Sequence, residues 1–74
     1  MPMPYATNDD LPPAIAKSLP PHAQDIFRSA FNSAWLSYGQ KDPARREEIA
    51  HRVAWAAVKK RYRKLSGRWV AIAS

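Results

Sequence analysis

A chain of 74 residues with no cysteine has room for one hydrophobic core, read as a single domain over 1–74, and no means of forming disulfides, thiolate metal sites or a cysteine nucleophile. Twelve Lys and Arg against six Asp and Glu give a formal net charge of +6, placed unevenly: residues 1–40 hold two basic and three acidic side chains, residues 41–74 ten basic and three acidic. Such an asymmetry predicts an anionic macromolecular partner, whether an acidic protein surface, a nucleic acid or lipid headgroups.

The N-terminus reaches Asp9 and Asp10 with no apolar run behind a basic start, so no signal peptide is expected. No stretch approaches the ~20 apolar residues of a transmembrane helix, and the lack of cysteine favours a cytoplasmic site. Thr7-Asn8-Asp9-Asp10 ahead of Leu11-Pro12-Pro13 joins capping side chains to prolines suited to a first turn, which predicts a short helix from Pro12 to Ser18. Pro20 and Pro21 end it and open a second helix from His22 to Tyr38, with Ile26, Phe27, Ala30, Phe31, Ala34, Trp35 and Tyr38 on one face. Gln24, Asp25, Arg28, Ser29, Asn32 and Ser33 fall on the other side, and Gly39 stands where a left-handed C-terminal residue is expected.

Asp42-Pro43 repeats the start signal before a run without breakers, which predicts a third and longest helix from Ala44 to Leu65, stopped by Gly67. Its inward arc reads Ala50, Val53, Ala54, Ala57, Val58, Tyr62 and Leu65, with Trp55 on the border. Arg68-Trp69-Val70-Ala71-Ile72 is short and β-prone, and Met3-Pro4-Tyr5-Ala6 is its expected mate. The expected fold is therefore an all-α, three-helix domain with a minor two-stranded β-ribbon made by the N- and C-terminal segments. Its core is expected between Phe27, Phe31 and Trp35 on one helix and Val53, Ala54, Ala57 and Val58 on the next.

The segments His22-Ala23-Gln24-Asp25-Ile26-Phe27, Ala30-Phe31-Asn32-Ser33-Ala34-Trp35 and Ala50-His51-Arg52-Val53-Ala54-Trp55-Ala56-Ala57-Val58-Lys59 resemble the ChaB family. Met3-Pro4-Tyr5, Asp10-Leu11-Pro12, Leu19-Pro20, Tyr62 and Gly67 with Trp69 also fall at that family's landmarks, so the resemblance runs over nearly the whole chain. It implies a compact helical fold with a minor two-stranded sheet and a role in regulating cation transport, by association with a cation/proton antiporter. ChaB-like proteins of some viruses add DNA binding as an implied alternative. This chain departs from the bacterial pattern in its short loop between the second and third helices. It departs again in a basic, apolar end where an acidic, Gly-containing stretch is common.

On a helical wheel Arg45, Arg52, Lys59 and Arg63 share one narrow arc, with Lys60 beside it. Such a stripe can track a polyanion's charges, and its plainer reading is a solvated face. Lys59-Lys60-Arg61-Tyr62-Arg63-Lys64, followed by Arg68-Trp69, interleaves cations with aromatics as single-strand binders do. Periodicity assigns Tyr62 to the core, and Trp69 is read the same way, so the candidate contact residues are Arg45, Arg52, Lys59, Lys60, Arg63, Lys64 and Arg68.

Glu48 and His51, like His22 and Asp25, have the i, i+3 spacing of di-iron bundles, but the bridging carboxylates such a site needs on facing helices are missing. No metal or other cofactor is expected, and both histidines read as structural or helix-edge residues. There is no phosphate-binding glycine loop and no serine in a nucleophile-elbow context, so no catalytic residue is assigned. Three functions follow in order: a non-enzymatic regulatory or accessory binding protein working through the basic face of its long C-terminal helix; a DNA-binding protein using the same face; and a structural or oligomerising module.

Overall fold

The computed structural model describes residues 4–38 and 41–72. A 3-10 turn at Asn8–Asp10 leads into helix α1 (Pro13–Ser18), α2 (Pro21–Tyr38), a second 3-10 turn at Pro43–Arg45, α3 (Arg46–Arg61), and a ribbon of β1 (Tyr62–Leu65) and β2 (Arg68–Ala71). The mostly helical architecture with a small two-stranded sheet is the one the sequence implies. Helix starts fall at or near the prolines, whose fixed φ and missing N–H suit a first turn. Gly39, expected to close α2, lies outside the described residues.

The core is a seam between α2 and α3. Ala23, Phe27, Phe31 and Ala34 are buried on α2, and Ala50, Ala54 and Val58 on α3, so one i, i+4 row of small side chains lies against the phenylalanines. Phe27 is fully buried, with its ring centre 6.0 Å from that of Phe31 and 5.2 Å from that of Trp55. Leu11, Leu19 and Tyr62 close the ends of the seam. Two members of the expected α3 arc fall outside it. Val53 is exposed and Ala57 half-buried, because the contact centres on the 50–54–58 row and turns toward Trp55 rather than toward the 53–57 side. Trp35, expected in the centre, is half-buried at the edge, stacked on Phe31 at 5.9 Å.

The third helix is shorter than the sequence implies, ending at Arg61 rather than Leu65. Ser66 (φ 51°) and Gly67 (φ 80°) form a two-residue loop with both central residues left-handed, the backbone that matches the twist of a hairpin. The loop folds β2 back antiparallel on β1, pairing Tyr62 with Ala71, Arg63 with Val70, Lys64 with Trp69 and Leu65 with Arg68. Gly67 therefore turns a hairpin instead of stopping a helix. Tyr62 stays inward, since it follows Val58 by four residues, but Leu65 is turned out to solvent and is 52% exposed.

The ribbon is thus made by the C-terminal segment alone, which corrects the expected pairing with the N-terminal segment. Met3 lies outside the described residues, and Tyr5 docks elsewhere. The Tyr5 backbone N–H donates to Asn32 Oδ1 at 3.2 Å and its carbonyl accepts from Asn32 Nδ2 at 2.7 Å. With Tyr5 packed 4.9 Å from Phe31, this segment lies along α2. Burial, and secondarily the negative charge of Glu47, hold the Tyr5 phenol above its ordinary pKa. Asn32, which helical periodicity places on the polar side, is consequently buried.

Candidate anion-binding surface

The seven candidate cations come from four elements rather than one helix. Arg45 lies in the 3-10 turn before α3; Arg52, Lys59 and Lys60 lie on α3; Arg63 and Lys64 on β1; Arg68 on β2. The wheel that aligned Arg63 with Arg45, Arg52 and Lys59 does not apply, because strand alternation sets the direction of Arg63. All seven are exposed.

They divide electrostatically into two groups. Glu48 accepts from both Arg45 Nε at 3.5 Å and Arg52 at 3.3 Å, one carboxylate bridging two guanidiniums along the helix surface. Lys59, Lys60, Arg63, Lys64 and Arg68 form no ion pair with any described residue, and the sequence carries no Asp or Glu beyond Glu48. The open cationic field therefore sits over the last turn of α3 and the ribbon.

Aromatic packing holds that field in place. Trp69, opposite Lys64 in the ribbon, packs 5.4 Å from Trp55 and ties the sheet to α3. Trp55 donates its indole N–H to His51 Nε2 at 2.9 Å, which holds the His51 ring against the indole. A shallow hollow beside α1 is lined by His51, Trp55, Lys59, Lys64 and Trp69 together with Ile15. A second one, on the other side of Trp69, is lined by Lys17 and Arg68. Lys17 belongs to the acidic half of the sequence, and only the packing of α1 against the ribbon reveals it as part of this surface.

Arg46 also lay outside the sequence candidates, and it acts within the fold. Its guanidinium carbon lies 4.2 Å over the Trp35 ring while Nε donates to the Trp35 carbonyl at 3.2 Å, satisfying a C-terminal carbonyl of α2. Gln24 does the same for α1, donating to the carbonyls of Ala16 at 2.9 Å and Leu19 at 2.8 Å.

The two i, i+3 acid–histidine pairs are engaged elsewhere. Glu48 holds the two arginines, His51 holds Trp55, and Asp25 accepts from Asn8 Nδ2 at 2.7 Å and pairs with Arg28 at 3.7 Å. Among the described residues no three His, Asp or Glu side chains gather as a metal site, and no helix is long and apolar enough to cross a membrane.

The ChaB family model matches residues 11–71. The "Putative cation transport regulator ChaB" of Escherichia coli (strain K12) is 58% identical over 66 residues, covering 84% of this chain and 87% of the relative, and the protein so named in Shigella flexneri matches to the same extent. The solution structure described as "NMR solution structure of the putative cation transport regulator ChaB" superposes with a TM-score of 0.81 at 49% identity, covering 95% of this chain and all of that one. Sequence and fold agree: this chain belongs to the ChaB family.

Proposed function

We infer that this protein is a non-enzymatic, cytoplasmic accessory protein that regulates cation transport, as its relatives' name states of them, and that it acts by binding an anionic macromolecule. The binding surface comprises Arg45, Arg52, Lys59, Lys60, Arg63, Lys64 and Arg68, with the last five as its working centre. One observation carries this reading: those five cations project from adjoining elements with no described carboxylate to neutralise them. Repulsion among them costs folding free energy that an anionic partner relieves. An acidic protein surface is the leading partner.

A nucleic-acid partner is the second reading, favoured by the hollow in which Lys59 and Lys64 flank Trp55 and Trp69, since cations beside indoles suit a phosphate backbone with stacked bases. Affinity capture from nuclease-treated lysate, set beside gel retardation in ~50 mM salt, separates the two, because electrostatic nucleic-acid binding is strongest at low salt. The triple substitution Lys59→Gln, Lys60→Gln, Lys64→Gln abolishes the interaction in either case and preserves the circular dichroism spectrum. Undiminished capture by that variant would remove the cationic surface from the function.

A further inference from the structure

The ribbon has two unlike faces. Tyr62, Lys64, Trp69 and Ala71 share one, fixed to the body by the burial of Tyr62 and the contact of Trp69 with Trp55. The other presents one arginine and one aliphatic side chain in each rung. Arg63 lies opposite Val70 and Leu65 opposite Arg68, and below the sheet the Ile72 N–H donates to the carbonyl of Arg61, the last residue of α3, at 2.8 Å. Leu65 is 52% and Ile72 45% exposed, Val70 is half-buried outside the core cluster, and both arginines are exposed.

We propose that this outer ribbon face docks on an anionic membrane surface, with Arg63 and Arg68 on lipid phosphates and Leu65, Val70 and Ile72 entering the interfacial layer. The proposal rests on the reading of the chain as a protein working through its cationic surface, and it adds to that surface's macromolecular partner a lipid contact made by the outer ribbon face. Charge complementarity selects the occupant: guanidiniums pair with phosphates in forked geometry, and a bilayer edge accepts aliphatic groups in the same plane. A nucleic acid would use the arginines and leave Leu65 and Ile72 in water, and the aromatics that could stack on bases lie on the opposite face. No spanning helix is required, since polybasic attraction plus shallow apolar burial gives reversible binding.

The test is co-sedimentation of the full chain with vesicles of phosphatidylcholine containing roughly 30% phosphatidylserine, against pure phosphatidylcholine, with heparin as a lipid-free polyanion. Binding to the anionic vesicles only, reversed by salt, is expected. Arg63→Gln and Arg68→Gln each lower the partition coefficient roughly fivefold. Leu65→Asn and Ile72→Asn each lower it roughly threefold while heparin retention and melting temperature stay the same. Wild-type partitioning by both asparagine variants would reduce the effect to charge alone and overturn the insertion. Heparin or protein binding without vesicle binding would overturn the membrane surface and leave the proposed function standing. Retardation of DNA that Arg63→Gln weakens and Leu65→Asn does not would assign the face to nucleic acid. Failure to bind vesicles, heparin or DNA would overturn the docking on lipid and leave the acidic-protein reading to its capture test.

Discussion

Asn32 and Tyr5 hold one another in a closed pair of hydrogen bonds, the amide of the one giving to and taking from the backbone of the other across 27 positions of sequence. A side-chain amide can serve a backbone N–H and C=O together because it carries a donor and an acceptor side by side. The pair is how a segment without regular structure is fastened to α2, and it seats the Tyr5 ring on Phe31. Asn32→Leu leaves both Tyr5 backbone groups without that partner in a partly buried setting, at a cost of about 1–3 kcal/mol. Thermal melts should show the loss, and Ser33→Ala, one position along on the exposed side, should melt as the wild type does.

Tyr5 also makes the fold sensitive to alkali. Burial and Glu47 raise its phenol above the ordinary value of 10.0, so the unfolded chain gives up that proton first. The stability contributed by the neutral phenol is complete below the unfolded pKa and is lost as pH rises beyond it. Melting temperature measured from pH 8 to 11 should therefore fall more steeply in the wild type than in Tyr5→Phe above about pH 10, the two chains differing in that phenol alone. Parallel curves would disconnect Tyr5 from the alkaline transition.

Phe27 is the keystone of the α2–α3 seam. Its ring meets Phe31, Trp55 and the edge of His51 at 5.9 Å and is entirely shielded from water. Phe27→Ala should cost about 3–5 kcal/mol, most of the stability of so small a domain. Val53→Ala, at an exposed position, should cost well under 1 kcal/mol. Equal melting losses in the two variants would contradict the packing.

Those last two residues mark what local pattern can and cannot convey. Phe27, Phe31, Ala54 and Val58 repeat at helical spacing, and Asp42-Pro43 announces a helix, so both long helices and their common face were legible. Val53 was not, because a wheel gives the apolar arc and leaves its midline to the partner helix. Asn32 looks like surface until its mate far upstream is known. The end of α3 was hidden for a related reason: Lys59 to Leu65 contains no breaker, and only pairing with Arg68–Ala71 across the left-handed Ser66-Gly67 loop makes a strand the better state. That non-local choice moved Arg63 off the helical stripe, exposed Leu65, and brought Lys17 beside Arg68.

The hairpin turn can be tested directly. Gly67 has a φ of 80° and nothing within 4 Å of an added Cβ, so Gly67→Ala pays only for backbone strain, about 1 kcal/mol. Ser66→Gly removes a side chain from the other left-handed position and should be neutral or slightly stabilising in the same melts. A destabilised ribbon should also release Trp69 from Trp55, seen as a red shift in tryptophan emission for Gly67→Ala.

Glu48 offers a gain-of-function test of the cationic surface. Its carboxylate reaches Arg45 and Arg52 at once, and all three side chains are more than half exposed, so these pairs contribute little stability, less than about 0.5 kcal/mol each. Their consequence is electrostatic: they cancel part of the field at one end of α3 and leave Lys59, Lys60, Arg63, Lys64 and Arg68 as the uncompensated end. Glu48→Gln removes one negative charge and frees two guanidiniums without enlarging the side chain. If the surface works by meeting an anionic partner, heparin elution should shift to higher salt and the slope of log K against log salt should steepen by about 1 for each phosphate newly contacted. Melting temperature should change little. A slope unchanged in Glu48→Gln and flattened in Lys59→Gln would confine the interface to the ribbon end and exclude Arg45 and Arg52 from it. A slope unchanged in both would mean that neither end of α3 carries the contact.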